Sequence, residues 1–275
     1  MKNKLFSIIV LFVFSILLVS CIENTNELKL DIIDVDQGDS ILVITPEKKS
    51  LLIDSGEEDF SRSVIRDLKK NRVKKLDYVI GTHSDSDHIG AMSDVLKEVG
   101  ADKLILSKDN ILKTELNNLI STAESMNVNL NRVESGDILK IDKDTVIYIL
   151  SPSKISQDPN KNSIVFLLKF KNHSLIFTGD ADSEIENKIL QKYKLGHCEF
   201  LKAGHHGSKT SSSEKFIRTL RPDITAISCG YKNRYGHPSK DTLDTLSKYN
   251  SKIFRTDISG TLHFYFNDQG VFLSK

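Results

Sequence analysis

Cysteine, proline and glycine are all scarce, at three, five and 14 in 275 residues, too few for a disulfide-dense, low-complexity or collagen-like chain. Excess charge of either sign is missing too. With 38 Lys and Arg against 37 Asp and Glu the formal charge is +1. The chain therefore lacks the overall basicity of a non-specific nucleic-acid binder, and any nucleic-acid role must rest on local charge or on bound metal. What is present, 39% hydrophobic and 27% charged residues, is the composition of one large globular domain or two small ones.

One long apolar run exists, Leu5 to Val19, behind Lys2 and Lys4. It falls short of the ~20 residues of a bilayer span and matches a signal-peptide core. It closes on Leu18, Val19, Ser20 and Cys21. A small residue before a cysteine at this place resembles the lipobox of bacterial lipoproteins, in which the Cys21 thiol is acylated and becomes the mature N-terminus. Residues 1–20 then read as a lipoprotein signal peptide, 21–27 as a polar tether and 28–275 as the folded domain. The expected location is the cell membrane, lipid-anchored on the extracytoplasmic face. A plain signal peptide with a secreted product, or a signal anchor with an incidental Cys21, are the alternatives. Removing residues 1–20 takes away two lysines and no acid, which turns +1 into −1.

Cys198 and Cys229 remain, in a compartment that permits a bridge. Cys198 opens one strand-like run (Cys198 to Ala203) and Cys229 closes another (Ile224 to Cys229). As parallel neighbours their thiols sit at opposite ends, about 16 Å apart at ~3.3 Å per residue, so no disulfide is expected.

Strand-like runs at Leu28 to Val35, Ser40 to Thr45 and Ser50 to Ile53 predict an opening β-meander. Phe60 to Lys70 has helical spacing, and Leu76 to Ile80 is a short apolar strand that runs into the polar cluster 82–88. Helix and strand then alternate: Ala91 to Val99 as helix, Lys103 to Leu106 as strand, Ile111 to Met126 as helix, Ile138 to Lys140 and Thr145 to Leu150 as strands. The second half repeats the plan. A hairpin (Ser163 to Phe170, Ser174 to Thr178) leads to a helix at Ser183 to Lys192 and the strand at Cys198, then strand and helix at Ile224 to Cys229 and Lys240 to Tyr249. Strands at Lys252 to Arg255, Thr261 to Phe266 and Val271 to Leu273 close the chain. Two β-rich halves, each with helices on one side and no linker between them, predict an α/β fold, a four-layer αββα sandwich.

The strongest chemical signal is His83-Ser84-Asp85-Ser86-Asp87-His88, straight after a predicted strand. In an extended segment His83, Asp85 and Asp87 project to one side before the chain turns into a helix near His88. Four metal-capable side chains in six residues can hold one or two divalent cations. A polar loop with scattered Asp and His is the bland alternative, and the other strand ends weigh against it. Asp54 ends one strand, Asp180 follows another within Thr178-Gly179-Asp180, and His205-His206-Gly207-Ser208 follows a third. Strand ends are where a rigid sheet positions ligands.

This order of motifs resembles that of the metallo-β-lactamase superfamily, and in particular the C-terminal hydrolase domain of the competence protein ComEC and its stand-alone relatives. Residues 34–40 (DVDQGDS), Asn162 to Val165, Lys202 to Ser208, Gly236-His237-Pro238 and Arg255 to Gly260 carry the finer match. It runs from about Leu28 to the C-terminus and leaves out ComEC's membrane-spanning channel, so it implies the chemistry and not DNA transport. The resemblance implies that His83 and Asp85 ligate one metal, Asp87 and His88 a second, and that Asp180 bridges them. His205 or His206 would complete the second site, with His205 preferred as nearer the strand end. Asp54 would orient ligands from behind by hydrogen bonding.

Two departures stand out. Asp85 replaces the second histidine of H-x-H-x-D-H, as in ComEC-like members, and residues 151–172 hold no histidine for the usual third ligand of the first site, where Asn162 stands instead. Oxygen ligands shift preference from an imidazole-rich zinc site toward Mn²⁺ or Mg²⁺, so two divalent ions, Mn²⁺, Zn²⁺ or Mg²⁺, are the expected cofactors. Asp36 occupies a turn position where the family has glycine.

Two such cations would lower the pKa of a shared water and stabilise the oxygens of a displacement at phosphorus. His237 would donate a proton or a hydrogen bond to the phosphate and is, with Asp87, a catalytic candidate. Lys202, Ser208 and Lys209 are candidate phosphate contacts. His173, His197 and His263 read as structural or solvent-facing, and the run Phe264-Tyr265-Phe266 as sheet packing. The expected function is a surface-anchored, metal-dependent hydrolase, a phosphodiesterase or nuclease on extracellular DNA. A hydrolase of a phosphorylated cell-envelope component or small ester, and a non-catalytic binding lipoprotein, are the alternatives, and no protein partner is inferable. The near-zero charge also hides a segregation: Cys198 to Lys240 carries eight Lys or Arg against three acids, a stretch expected to border the site and hold a phosphate backbone.

Overall fold

Period-two alternation decides which side chains a strand sends to each face. The computed structural model describes residues 26–108 and 113–274, so the leader, Cys21 and most of the tether lie outside the described residues. Leu28, Leu30 and Ile32 of β1 (Leu28–Ile32) share a face with Ile41 and Val43 of β2 (Ser40–Ile44) and with Leu51 and Ile53 of β3 (Ser50–Ser55). These three strands form the expected antiparallel meander. β4 (Leu76–Gly81), β5 (Ala101–Ser107) and β6 (Asn129–Val133) continue the sheet in parallel.

The second sheet takes β7 (Ile138–Lys140), β8 (Thr145–Ser151), β9 (Val165–Phe170) and β10 (His173–Phe177) antiparallel, then β11 (Phe200–Lys202), β12 (Ile224–Ile227) and β13 (Lys252–Arg255) in parallel. The closing hairpin, β14 (Leu262–Asn267) and β15 (Gly270–Ser274), returns to the first sheet beside β1. The orders are β15-β14-β1-β2-β3-β4-β5-β6 and β13-β12-β11-β10-β9-β8-β7. β1 runs the same way as β3, so the chain enters at Leu28 on the far end of the sheet and Ile32 leads toward the end where β3 and β4 finish.

Three apolar clusters establish the layers. The first lies between the sheets and joins Leu30, Ile53 and Phe264 to Phe166, Phe177 and Phe200. Phe166 and Phe177 stack there at 4.8 Å, and truncating either to alanine costs about 3–5 kcal/mol. The second backs the first sheet: Leu42 and Leu52 meet Val64 and Leu68 of α1 (Ser61–Lys70), Ile89 of the short α2 (Ser86–Ile89), Val95 of α3 (Met92–Val99) and Leu119 of α4 (Thr114–Ser125). The third backs the other sheet: Ile176 and Leu201 meet Ile189 of α5 (Ser183–Lys192), Phe216 of α6 (Glu214–Leu220) and Leu246 of α7 (Lys240–Lys248). Side chains of Asp182 and Ser239 cap α5 and α7 by accepting from Ile185 N and Thr242 N. The fold is the expected αββα sandwich.

Sequence patterning misses β6, α6 and the four-residue α8 (Thr256–Ser259). β6 is a sheet edge whose first three residues are exposed, so it shows no apolar alternation, and the two helices are too short for one. Cys198 and Cys229 are both buried and free, and each precedes or follows its parallel strand as expected. His173 donates to Asn267 O, His263 to Asp31 and His197 to Asp223, while Phe264 and Phe266 fill the core between the sheets. All are structural. Asp36 takes the glycine-like turn conformation, φ 55°, with its N–H donating to Asp34 Oδ1.

Candidate metal centre

The parallel strands β3, β4, β10 and β11 all deliver polar residues to one end of the sandwich. Asp54, at φ 57° on the last turn of β3, accepts from Thr82 N at 2.8 Å and from Thr82 Oγ1 at 2.7 Å. His88 Nδ1 donates to the same carboxylate at 2.8 Å. Because the Thr82 hydroxyl proton goes to Asp54, Thr82 Oγ1 accepts from His83 Nδ1 at 3.1 Å. One buried carboxylate thus sets both rings, and each presents Nε2 to the site.

The second sheet supplies the other wall. Asp180 N donates to Ser163 Oγ, and the Asp180 carboxylate lies 3.2 Å from His88 Nε2 and 3.6 Å from His206 Nε2. His206 Nδ1 donates to Ser228 O at 3.0 Å, which leaves its Nε2 facing Asp87 at 3.3 Å. His205 and His206 both hold left-handed backbone, φ 48° and 53°, a strain of order 1–3 kcal/mol per residue that clusters at functional sites. This geometry reverses the preference between the two. His206 is buried and aimed at Asp87 and Asp180, whereas His205 is part-exposed, 3.6 Å from Asp180, and lines the open cleft.

Gly207, φ 82°, is required at this turn, since any Cβ there would sit 2.5 Å from that of Pro238. Gly38 is fixed by the same logic: a Cβ would drive into the Asp87 carbonyl, against which the 36–39 loop packs. That loop delivers Asp39, which the sequence reading assigned no role. Its carboxylate, with groups of His88, Asp180 and His206, forms a set of ligand atoms all within 4.8 Å of one another.

Charge in the cluster is mutually sustained. Burial opposes a proton on His88, but Asp180 and Asp54 outweigh it and hold the pKa well above that of a free imidazole. Burial likewise opposes one on His206, yet Asp180, Asp39 and Asp87 raise it to about 9. Asp180 is pushed up by burial and, more strongly, held far below the usual carboxylate range by His88 and His206. Asp87 is lowered against its burial by His206 and His88, and Asp85 by His83 and Lys113. Lys113 pairs directly with Asp85. His237 is pushed down by burial and by the neighbouring His205 and His206.

Nε2 of His83, His88 and His206 and Oδ1 of Asp39 and Asp180 are buried and make no aligned hydrogen bond among the described residues; their opposite charges face one another at 3.2–3.6 Å, held together by attraction alone. Each such atom costs about 1–3 kcal/mol if nothing satisfies it. Imidazole nitrogens and carboxylate oxygens converging unpaired are a donor set that fits divalent cations, and the cluster is compatible with a dinuclear site.

The centre opens into a cleft of about 560 Å³ lined by Asp85, Asp87, Asp180, His205, His206 and His237, with Asn160, Asn233, Arg234 and Tyr235 on its rim. Several expectations are corrected here. Lys202 is wholly buried with Nζ 2.7 Å from Asp39 and 3.0 Å from Ala203 O, so it neutralises an internal carboxylate and reaches no phosphate. Ser208 pairs with Thr210, Lys209 points to solvent, and neither lines the cleft. Asn162 ties both ends of its amide to the Ser156 backbone and braces a loop, while its neighbour Ser163 supports Asp180. Of the basic stretch 198–240, Arg234 is the cation that lines the cleft. Thr82, Asp39 and Lys113 went unread. Thr82 and Asp39 lie inside or beside the quoted motifs, but Lys113 carries no local signal.

Residues 33–231 match the profile of the metallo-β-lactamase superfamily. The chain belongs to this superfamily. It is 33% identical, over 94% of its length, to ComE operon protein 3 of Bacillus subtilis (strain 168), of which it covers 35%, and 28% identical, over 90% of its length, to Competence protein ComA of Neisseria gonorrhoeae, of which it covers 33%. It therefore spans about a third of the length of these ComEC-like competence proteins. Among solved structures, the metallo-β-lactamase fold protein YhfI from Bacillus subtilis superposes with a TM-score of 0.59 at 13% identity, over 88% of this chain and 100% of that one. That likeness speaks to the fold. Superfamily membership and the His/Asp cluster together make the chain a metal-dependent hydrolase with competence-protein relatives.

Proposed function

We propose that this metallo-β-lactamase superfamily hydrolase is a phosphodiesterase, a nuclease on extracellular DNA, held by a lipid on Cys21 to the outer face of the cell membrane. The observation that carries the reading is the convergence of unpartnered, buried ring nitrogens and carboxylate oxygens at one end of both sheets. In the proposal His83 and Asp85 would hold one cation and Asp87, His88 and His206 the other, with Asp180 contributing to both. The oxygen-rich donor set favours Mn²⁺ or Mg²⁺ over Zn²⁺. When bound, such a pair supplies an acidified water near neutral pH and positive charge for phosphoryl oxygens.

The chain's own groups do the rest. Asp54 and Thr82 hold the rings of His88 and His83 in register. His237 lines the cleft with its ring 5.7 Å from that of His205 and offers a hydrogen bond to a phosphate oxygen, and Arg234 adds charge at the rim. Once two cations offset its acids, the polar lining would suit a phosphate backbone better than the acyl group of a small ester. Competence proteins among the relatives favour DNA as the phosphodiester. The apolar run ending at Cys21 supports export and anchoring.

The test is direct. The purified chain with Mn²⁺ should cleave single-stranded DNA, and Asp87→Ala, His88→Ala or a chelator should each abolish the cleavage. Cleavage that survives all three refutes the reading. Mass spectrometry of the membrane-extracted protein should find an acylated Cys21 as first residue, and an unmodified N-terminus refutes the anchor.

A further inference from the structure

One rim of the cleft differs in chemistry from its acidic floor. The loop of residues 230–237 carries two exposed aromatics, Tyr231 at 69% and Tyr235 at 55% exposure, each with a cation over its ring. Lys232 Nζ lies 5.2 Å from the Tyr231 centroid. Arg234 Cζ lies 4.9 Å from that of Tyr235, and Arg234 Nη2 donates to the Tyr235 hydroxyl at 2.7 Å. Tyr235 also stacks on His237, at 5.7 Å and 23°, so the aromatic surface runs from solvent to the edge of the metal centre.

This arrangement is built rather than left over. Asn233 holds the loop from inside: its Nδ2 donates to Gly230 O at 2.9 Å and His237 O at 2.6 Å, and its Oδ1 accepts from Tyr235 N and His237 N. Neither tyrosine belongs to an apolar cluster of the fold. A preorganised pair of exposed rings lowers the ordering cost of whatever stacks on it. No acid lies between Ser228 and Lys240, so a polyanion meets no like charge from the loop itself.

We infer that this loop is a stacking platform for an unpaired nucleic-acid strand, with a base seated on the Tyr235 and Arg234 pair and its phosphate directed past His237 into the cleft. The inference rests on the nuclease reading and names the state of its substrate. Bases expose their faces only when unstacked, and aromatic or guanidinium planes take any of them without regard to sequence. A duplex hides those faces, and a polyol-phosphate polymer has none.

The experiment measures binding by fluorescence anisotropy, using the full chain made inactive by Asp87→Asn. The probes are labelled oligo-dT, an abasic oligonucleotide of equal length and a blunt duplex. Tyr235→Ala should weaken oligo-dT binding about 5- to 150-fold, the effect of losing one base stack, and leave the abasic strand within about twofold. Tyr235→Phe should retain binding, and the duplex should bind more weakly than oligo-dT. Equal losses on the abasic strand, no loss on oligo-dT, or competition by poly(glycerol phosphate) as strong as by oligo-dT would overturn the inference. The two readings fail separately. Mn²⁺-dependent cleavage of oligo-dT that is the same with Tyr235→Ala sinks the platform alone, whereas an unmutated chain that cleaves no nucleic acid sinks the nuclease and the platform with it.

Discussion

His88 donates its Nδ1 proton to Asp54 across 2.8 Å, and that bond decides which nitrogen of the ring faces Asp180. Replacing Asp54 with alanine removes the acceptor shared by His88 and Thr82, and through Thr82 loosens His83. Mn²⁺ affinity measured by calorimetry should fall about 10- to 100-fold. An affinity equal to that of the unmutated chain would show that the ring needs no such partner.

The two adjacent histidines should separate cleanly. His206→Asn removes a buried Nε2 aimed at Asp87 and Asp180 and should lower the metal-to-protein ratio found by native mass spectrometry. His205→Asn changes a part-exposed ring on the cleft wall, so metal content should hold while activity drops. The reverse pattern would restore His205 as the ligand.

Metal uptake should release protons. His206, raised to about 9, and His88, raised well above its ordinary value, carry protons in the cation-free protein near neutral pH, and a cation must displace them. Affinity should therefore climb with pH up to about 9. Titrations in buffers of different ionisation heat would give the proton count. For the chelated protein the sign runs the other way. A histidine whose pKa is raised on folding contributes stability that is full below its unfolded value, near 6.5, and is lost as pH rises through about 9. Thermal melts in chelator should fall across that window. A flat profile would contradict the protonated cluster.

Lys202→Met should act on stability rather than on substrate. It strands the Asp39 carboxylate, buried and paired with Lys202 at 2.7 Å, and breaking such a pair costs about 3–5 kcal/mol. Urea unfolding should show that loss, and adding Asp39→Asn should recover part of it. A raised KM for DNA with unchanged stability would return Lys202 to the phosphate.

Layering was legible in the sequence because alternation in strands such as β14 and amphipathic spacing in α1 are local and period-bound. His83 to His88 and Asp180 were legible because polar residues at the ends of apolar strands have few other uses. Choosing between His205 and His206 was beyond it: both backbones are left-handed, and what separates the rings is a partner 22 residues on, Ser228 O, which fixes His206 inward while His205 faces the open cleft. Lys202 misled because its partner, Asp39, lies 163 residues away. The basic stretch misled for the same reason, since proximity along the chain left only Arg234 of its cations lining the cleft.

The chain enters its sheet at Leu28, paired with Phe266, while Ile32 pairs with Leu262 toward the end that carries the metal centre. Five residues of strand set the two ends about 16 Å apart, and the tether 21–27 reaches at most about 24 Å. Under the proposed anchoring the molecule stands on the bilayer with its mouth turned to the medium. A polymeric strand can then be captured from the medium without being pressed against the bilayer beneath, so the direction of one interior strand, β1 between β14 and β2, governs what the enzyme can sample.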